Sequence, residues 1–86
     1  MATLYIRLVT HTYIIITWSN KKIQQKITEL ASSILETPYH GIGKPEPLKH
    51  DLSGLWSRRI TREDRFVYEM QEQLVIVHSL KGHYKL

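Results

Sequence analysis

The sequence contains no cysteine. That excludes a disulfide framework and a thiolate zinc site as sources of stability, and it makes a reducing cytoplasm the expected compartment. The five histidines, His11, His40, His50, His78 and His83, lack the tight pairwise spacing of a metal site. No other ligand cluster accompanies them, so neither metal nor cofactor is expected. No apolar run is long enough to cross a bilayer: the stretch from Leu4 to Trp18 is broken by Arg7 and His11 and falls short of the ~20 residues required. It also lacks a basic leader and a small-residue cleavage site, so it reads as core, with no membrane partner. Internal repeats and low-complexity tracts are missing as well.

What is present is a chain of 86 residues, the length of one small domain spanning 1–86, which must rely on packing alone for its stability. Its net charge of +4 and pI near 9.5 favour a polyanionic partner only weakly. Position along the chain says more, because Arg58, Arg59, Arg62 and Arg65 fall within eight residues and such a cluster suits phosphate or acidic protein.

Leu4, Ile6 and Leu8 alternate with Tyr5, Arg7 and Val9, as a first strand would. Residues 12–18 are β-branched and on propensity alone also favour strand. A helix is predicted over about 20–36, capped by Ser19 or Asn20, with Ile23, Ile27, Leu30, Ala31 and Ile34 inward and Lys21, Lys22, Gln25 and Glu29 outward. Pro38 should end it, and Gly41, Gly43, Pro45 and Pro47 then mark a long loop over 37–47. Leu55 to Thr61, Arg65 to Gln71 and Leu74 to Leu80 read as three strands of an antiparallel meander with a helix on one face, an α+β fold.

Three groups of residues stand out chemically. Glu46 lies between Pro45 and Pro47, which restrict the backbone on both sides of a carboxylate; the ordinary alternative is a solvated loop acid. Arg59 and Arg65 flank the turn Arg62-Glu63-Asp64. If the loop has three residues, Thr61 faces Arg65 and Arg59 faces Val67, so that both arginines share one face of the sheet, as a phosphate clamp or as solvated charge. His83 and Tyr84 stand near the end of the chain, where an imidazole titrating near neutrality could release a proton and an aromatic ring could stack on a base, or where both could be an ordinary tail. A base, a set of cations and an acid are the parts that metal-free cleavage of RNA through its 2′-hydroxyl requires.

The run from Thr37 to Ile60, with Gly43-Lys44-Pro45-Glu46-Pro47-Leu48-Lys49 followed by Leu52-Ser53-Gly54-Leu55-Trp56-Ser57-Arg58-Arg59-Ile60, resembles the YoeB toxins, a branch of the RelE/ParE superfamily. Arg65-Phe66-Val67-Tyr68 and the closing His83-Tyr84 match as well, so the similarity covers roughly residues 20 to 84. The resemblance implies a microbial-ribonuclease-like fold with two helices packed on one face of a twisted antiparallel sheet, and it implies a helix, not a strand, in the aliphatic segment 12–18. It implies Glu46 as base, Arg65 as phosphate-binding arginine and His83 as acid, with Lys49, Arg59 and Tyr84 assisting. It further implies an endoribonuclease toxin that cleaves messenger RNA in the ribosomal A site and inhibits translation. The expected partners are a YefM-like antitoxin and a second copy of the chain in a homodimer, with promoter DNA reached only through the antitoxin complex. Lys85 and Leu86 run past the family's usual terminus.

Two other readings belong to different classes. One is a non-catalytic toxin like those of the ParE branch, which share the fold and act on DNA gyrase; such a binder has no need of the set Glu46, Arg65 and His83. The other is an inactive relative that only binds an antitoxin.

Overall fold

The computed structural model describes the backbone of residues 5–8 and all of residues 21–80. Among them the order is strand β1 (Tyr5–Leu8), helix α1 (Lys21–Glu36), strand β2 (Glu46–Pro47), a 3₁₀ turn (His50–Leu52), and strands β3 (Leu55–Arg59), β4 (Arg65–Gln71) and β5 (Leu74–Ser79). The strands form one sheet in the order β1-β5-β4-β3-β2. From β5 to β2 every pairing is antiparallel, as the meander predicts, whereas β1 joins the far edge in parallel to β5, with Tyr5 opposite Leu74 and Leu8 opposite Val77. The helix expected over 12–18 and the caps Ser19 and Asn20 lie outside the described residues, so α1 is the one helix described.

The helix α1 forms where its periodicity places it. Ile27, Leu30 and Ile34 are buried at intervals of three and four, Ile23, Ala31 and Leu35 flank them, and Lys21, Lys22, Gln25 and Glu29 are exposed. These side chains pack on Phe66, Tyr68, Val75, Val77 and Leu80 to make the core. Burying a single side chain of this size contributes roughly 1.5–3 kcal/mol, so the core is the main stabilising term in a fold without cross-links. The β4–β5 pairing slips between Val67, opposite Ser79, and Tyr68, opposite Val77, which leaves His78 as the extra residue of a bulge.

The connection between β3 and β4 differs from expectation. Its loop runs over residues 60–64, closed by Ile60 N–H and Thr61 N–H on the Asp64 carbonyl, at 3.0 and 3.3 Å. The Thr61 hydroxyl accepts from the backbone N–H groups of Glu63 and Asp64 and donates to Asp64 Oδ2, a local turn that ends the ladder early. Arg59 therefore stands directly opposite Arg65, and Val67 faces Ser57. The register moved by two residues from the expected one. Because side chains alternate with a period of two, the shared face of Arg59 and Arg65 survives the move.

Candidate active site on the face opposite the helix

The position of the site follows from which face each strand residue takes. Phe66 and Tyr68 of β4 are core residues, so Arg65, Val67 and Glu69 point to the other face. On β3 the Arg58 side chain reaches Ser33 of the helix, which puts Ser57 and Arg59 on that same opposite face. Glu46 pairs with Ser57 and shares its side of the sheet. The face away from α1 thus carries a row Glu46, Ser57, Val67 across β2, β3 and β4, with the pair Arg59 and Arg65 beside it. With strands ~4.8 Å apart and ~3.4 Å per residue, the Glu46 and Arg65 backbones are roughly 12 Å apart.

Glu46 is not on a loop, as its flanking prolines suggested, but on a short edge strand. The physical reason is the same pair of prolines: both favour extended backbone, and neither can donate to a ladder, which restricts them to an edge. Leu48 N–H donates to the Leu55 carbonyl at 2.8 Å and continues the pairing. On either side of this segment Lys44 and His50 adopt left-handed backbone, with φ of 52° and 58°. These two bends bring the carboxylate-bearing segment onto the sheet edge and lead it off again. Lys49, exposed, sits at the entrance to the 3₁₀ turn just off the ladder.

Arg58, which the sequence groups with Arg59, Arg62 and Arg65 as a cluster suited to phosphate or acidic protein, is fully buried. Its Nη2 donates to the carbonyls of Thr37 and His40, both at 2.7 Å, and its Nη1 to Ser33 Oγ at 2.7 Å and the Ile42 carbonyl at 3.2 Å. Nε donates to the Tyr68 hydroxyl. Every acceptor is neutral, so the guanidinium is held by dipoles. It also supplies the positive charge that the last turn of α1 lacks. Gly41 and Gly43 let the loop lie this close: a Cβ at Gly41 would stand 2.4 Å from Ser33 Oγ, and one at Gly43 2.6 Å from Leu30 Cδ2. The Gly43 carbonyl accepts from Arg59 N–H at 2.7 Å, so the loop that delivers Glu46 is tied to the strand that carries Arg59.

This face carries charge of both signs, with Arg59 and Arg65 near Glu46 and with Glu69 further along. Arg59 is exposed, and among the described residues neither it nor Glu46 is engaged in an ion pair. Arg65 is half-buried; its Nη1 donates to the carbonyls of Thr61, Arg62 and Asp64, which braces the loop and orients the guanidinium. Like charges directly opposite each other weaken a sheet, so Arg59 and Arg65 form an arrangement that a bound anion would relieve. Further along the same face His78 Nε2 lies 2.6 Å from Glu69 Oε1. The hydrogen bond with His78 holds the Glu69 carboxyl below its ordinary range, more than burial raises it. No group of metal-ligating side chains occurs among the described residues.

Of the residues singled out from sequence, the structure brings Glu46, Arg59 and Arg65 to one face and Lys49 to its edge; His83 and Tyr84 lie outside the described residues. Sequence reasoning missed Ser57 in the floor and Arg58 beneath it. A signal was available, since consecutive arginines in a strand must take opposite faces and one of them had to turn inward.

Residues 8–84 match the model of the YoeB-like toxin of bacterial type II toxin-antitoxin systems. Among similar proteins, toxin YoeB of Escherichia coli K12 is 48% identical over 66 residues, covering 77% of this chain and 79% of its own. Toxin YoeB of Synechocystis is 43% identical over 75 residues, covering 87% of both. A YoeB dimer from Staphylococcus aureus superposes with a TM-score of 0.85 at 39% identity, over 96% of this chain and 100% of that one. The YoeB-YefM complex from the same organism gives 0.84 at 40% identity, with the same coverage.

Proposed function

Because the chain belongs to the YoeB-like toxins of bacterial type II toxin-antitoxin systems, we propose that it acts as a metal-independent endoribonuclease that cuts messenger RNA at the ribosome and stops translation. The observation that carries this reading is the shared face of Glu46, Arg59 and Arg65, where a carboxylate outside any ion pair lies near two like charges in direct opposition, an arrangement that suits a phosphate.

In the proposed reaction the Glu46 carboxylate takes the proton of the ribose 2′-hydroxyl, and the 2′-oxygen attacks the adjacent phosphorus. Arg65, braced by its loop carbonyls, holds the phosphate with Arg59 and Lys49 as negative charge builds on its oxygens. His83 protonates the departing 5′-oxygen and Tyr84 supports the scissile nucleotide. The products are a 2′,3′-cyclic phosphate and a free 5′-hydroxyl. The family match runs through residue 84, which supports carrying both terminal residues into the mechanism.

The solved relatives in complex with YefM and as a dimer support two partners for this chain, a YefM-like antitoxin and a second copy of itself. An acidic antitoxin segment would lie over the Arg59–Arg65 pair and block the face. The test is primer extension on ribosome-bound message. Cleavage by the wild-type chain and a fall of about two to four orders of magnitude in Glu46→Ala and His83→Ala is the expected result. Growth arrest with intact message and damaged DNA would instead indicate a gyrase-directed binder.

A further inference from the structure

The floor of the open face contains a hydroxyl that the mechanism above does not use. Ser57 is only 8% exposed, stands directly across from Glu46 on one side and Val67 on the other, and precedes Arg59 by one turn of the strand alternation. Its side chain makes no hydrogen bond among the described residues, and no side-chain oxygen or nitrogen fully cut off from solvent lacks a partner. The hydroxyl is therefore sunk in the floor but keeps some contact with solvent. A strand interior favours Val, Ile or Thr at such a position, so a serine with no internal hydrogen bond is not explained by packing. Its neighbour Val67, fully buried on the same face, shows what an ordinary floor residue is.

We propose that Ser57 is a substrate-contacting residue whose hydroxyl, lying in the floor between Glu46 and the Arg59–Arg65 pair, donates a hydrogen bond to a non-bridging oxygen of the scissile phosphate. This rests on the ribonuclease reading and deepens it. The arginines approach the phosphate from one end of the face and the carboxylate approaches the ribose from the other, which leaves the sheet side of the phosphate to Ser57. An oxygen there gains charge as the 2′-oxygen bonds to phosphorus, so the donor strengthens in the transition state more than in the bound substrate. The contribution should appear in the rate of cleavage and hardly at all in binding.

The experiment compares wild type, Ser57→Ala and Ser57→Cys under single-turnover conditions on ribosome-bound message, with thermal unfolding of each chain. The expected result is a fall in the cleavage rate of about 10- to 100-fold in both variants. Half-saturation should stay within about twofold, and Ser57→Ala should melt no lower than wild type, since removing an unpartnered hydroxyl deletes no internal bond. The thiol is close in shape but a weak donor. If Ser57→Cys restores the wild-type rate, side-chain volume is what matters and the proposal is overturned. It is overturned equally if Ser57→Ala cleaves as fast as wild type. A wild-type chain inert toward RNA would end the ribonuclease reading itself, whereas an active wild type with an equally active Ser57→Ala would end only the role of Ser57.

Discussion

Arg58 donates through Nε to the Tyr68 hydroxyl at 3.1 Å, and that hydroxyl donates in turn to the Pro38 carbonyl at 2.6 Å. Burial raises the Tyr68 phenol above its usual range against the opposing influence of Arg58, so it stays neutral and can serve both as acceptor and as donor. Through these two residues the sheet grips the loop that follows the helix. The position of Glu46 depends on that grip, because nothing else in the 37–43 stretch anchors it so many times.

Arg58→Met should accordingly be among the most damaging single substitutions outside the apolar core. It removes all five hydrogen bonds of the buried guanidinium. Although the Thr37 carbonyl keeps His40 N–H, the His40 carbonyl keeps the Thr37 hydroxyl and the Tyr68 hydroxyl keeps the Pro38 carbonyl, bonds to a charged group are worth about 1.5–3 kcal/mol each. A total loss of about 3–5 kcal/mol is expected in urea unfolding. Arg58→Lys, with one nitrogen in place of three, should recover only part of it. A loss below about 1 kcal/mol would show that water replaces the guanidinium without penalty.

Arg59 and Arg65 face each other, yet their substitutions should separate. Arg59 is exposed, so Arg59→Ala should leave the melting temperature within about 2 °C while weakening RNA binding and flattening its salt dependence. Arg65→Ala removes three bonds to the 60–64 loop and should lower stability by about 1–2 kcal/mol as well as binding. Equal melting temperatures for the two variants would contradict the bracing role assigned to Arg65.

The Glu69–His78 pair predicts the acid limb of the stability profile. The carboxyl is lowered in the folded chain, so its contribution is present above the unfolded carboxylate value near 4 and disappears as pH falls through the lower folded value. Stability measured in urea should decline below about pH 4 in the wild type and decline less steeply in Glu69→Gln. Identical slopes would mean that the bond to His78 does not persist in solution.

Glu72 begins the two-residue turn between Gln71 and Leu74 with φ at +56°, a conformation that glycine adopts without strain. Glu72→Gly should raise stability by about 0.5–1 kcal/mol, the relief of strain exceeding the added freedom of the unfolded chain. Thermal unfolding decides it, and a lower melting temperature would count against a strained turn.

Much of this was legible along the chain. The helix was readable to its inward residues because a 3.6-residue apolar period has few competing explanations, and the meander was readable from alternation and turn residues. The early end of the β3–β4 ladder was not, because it depends on the Thr61 hydroxyl choosing the Asp64 amide over continued pairing, a balance of single hydrogen bonds. Nor was the parallel docking of β1, since a short apolar strand fits either edge and either direction until the rest of the sheet exists.

Local chemistry alone decided that Glu46 would be held in extended backbone between two prolines, and that one of two adjacent arginines would face away from the other. Alternation and ring geometry are properties of neighbouring residues and need no partner. Only the folded molecule decided which arginine turned inward, that Glu46 would stand across from Ser57, and that the hydroxyl there would be left without an internal bond. Those outcomes depend on contacts between segments far apart in the chain, where the energy of a few buried polar groups selects one packing among several that the linear pattern allows.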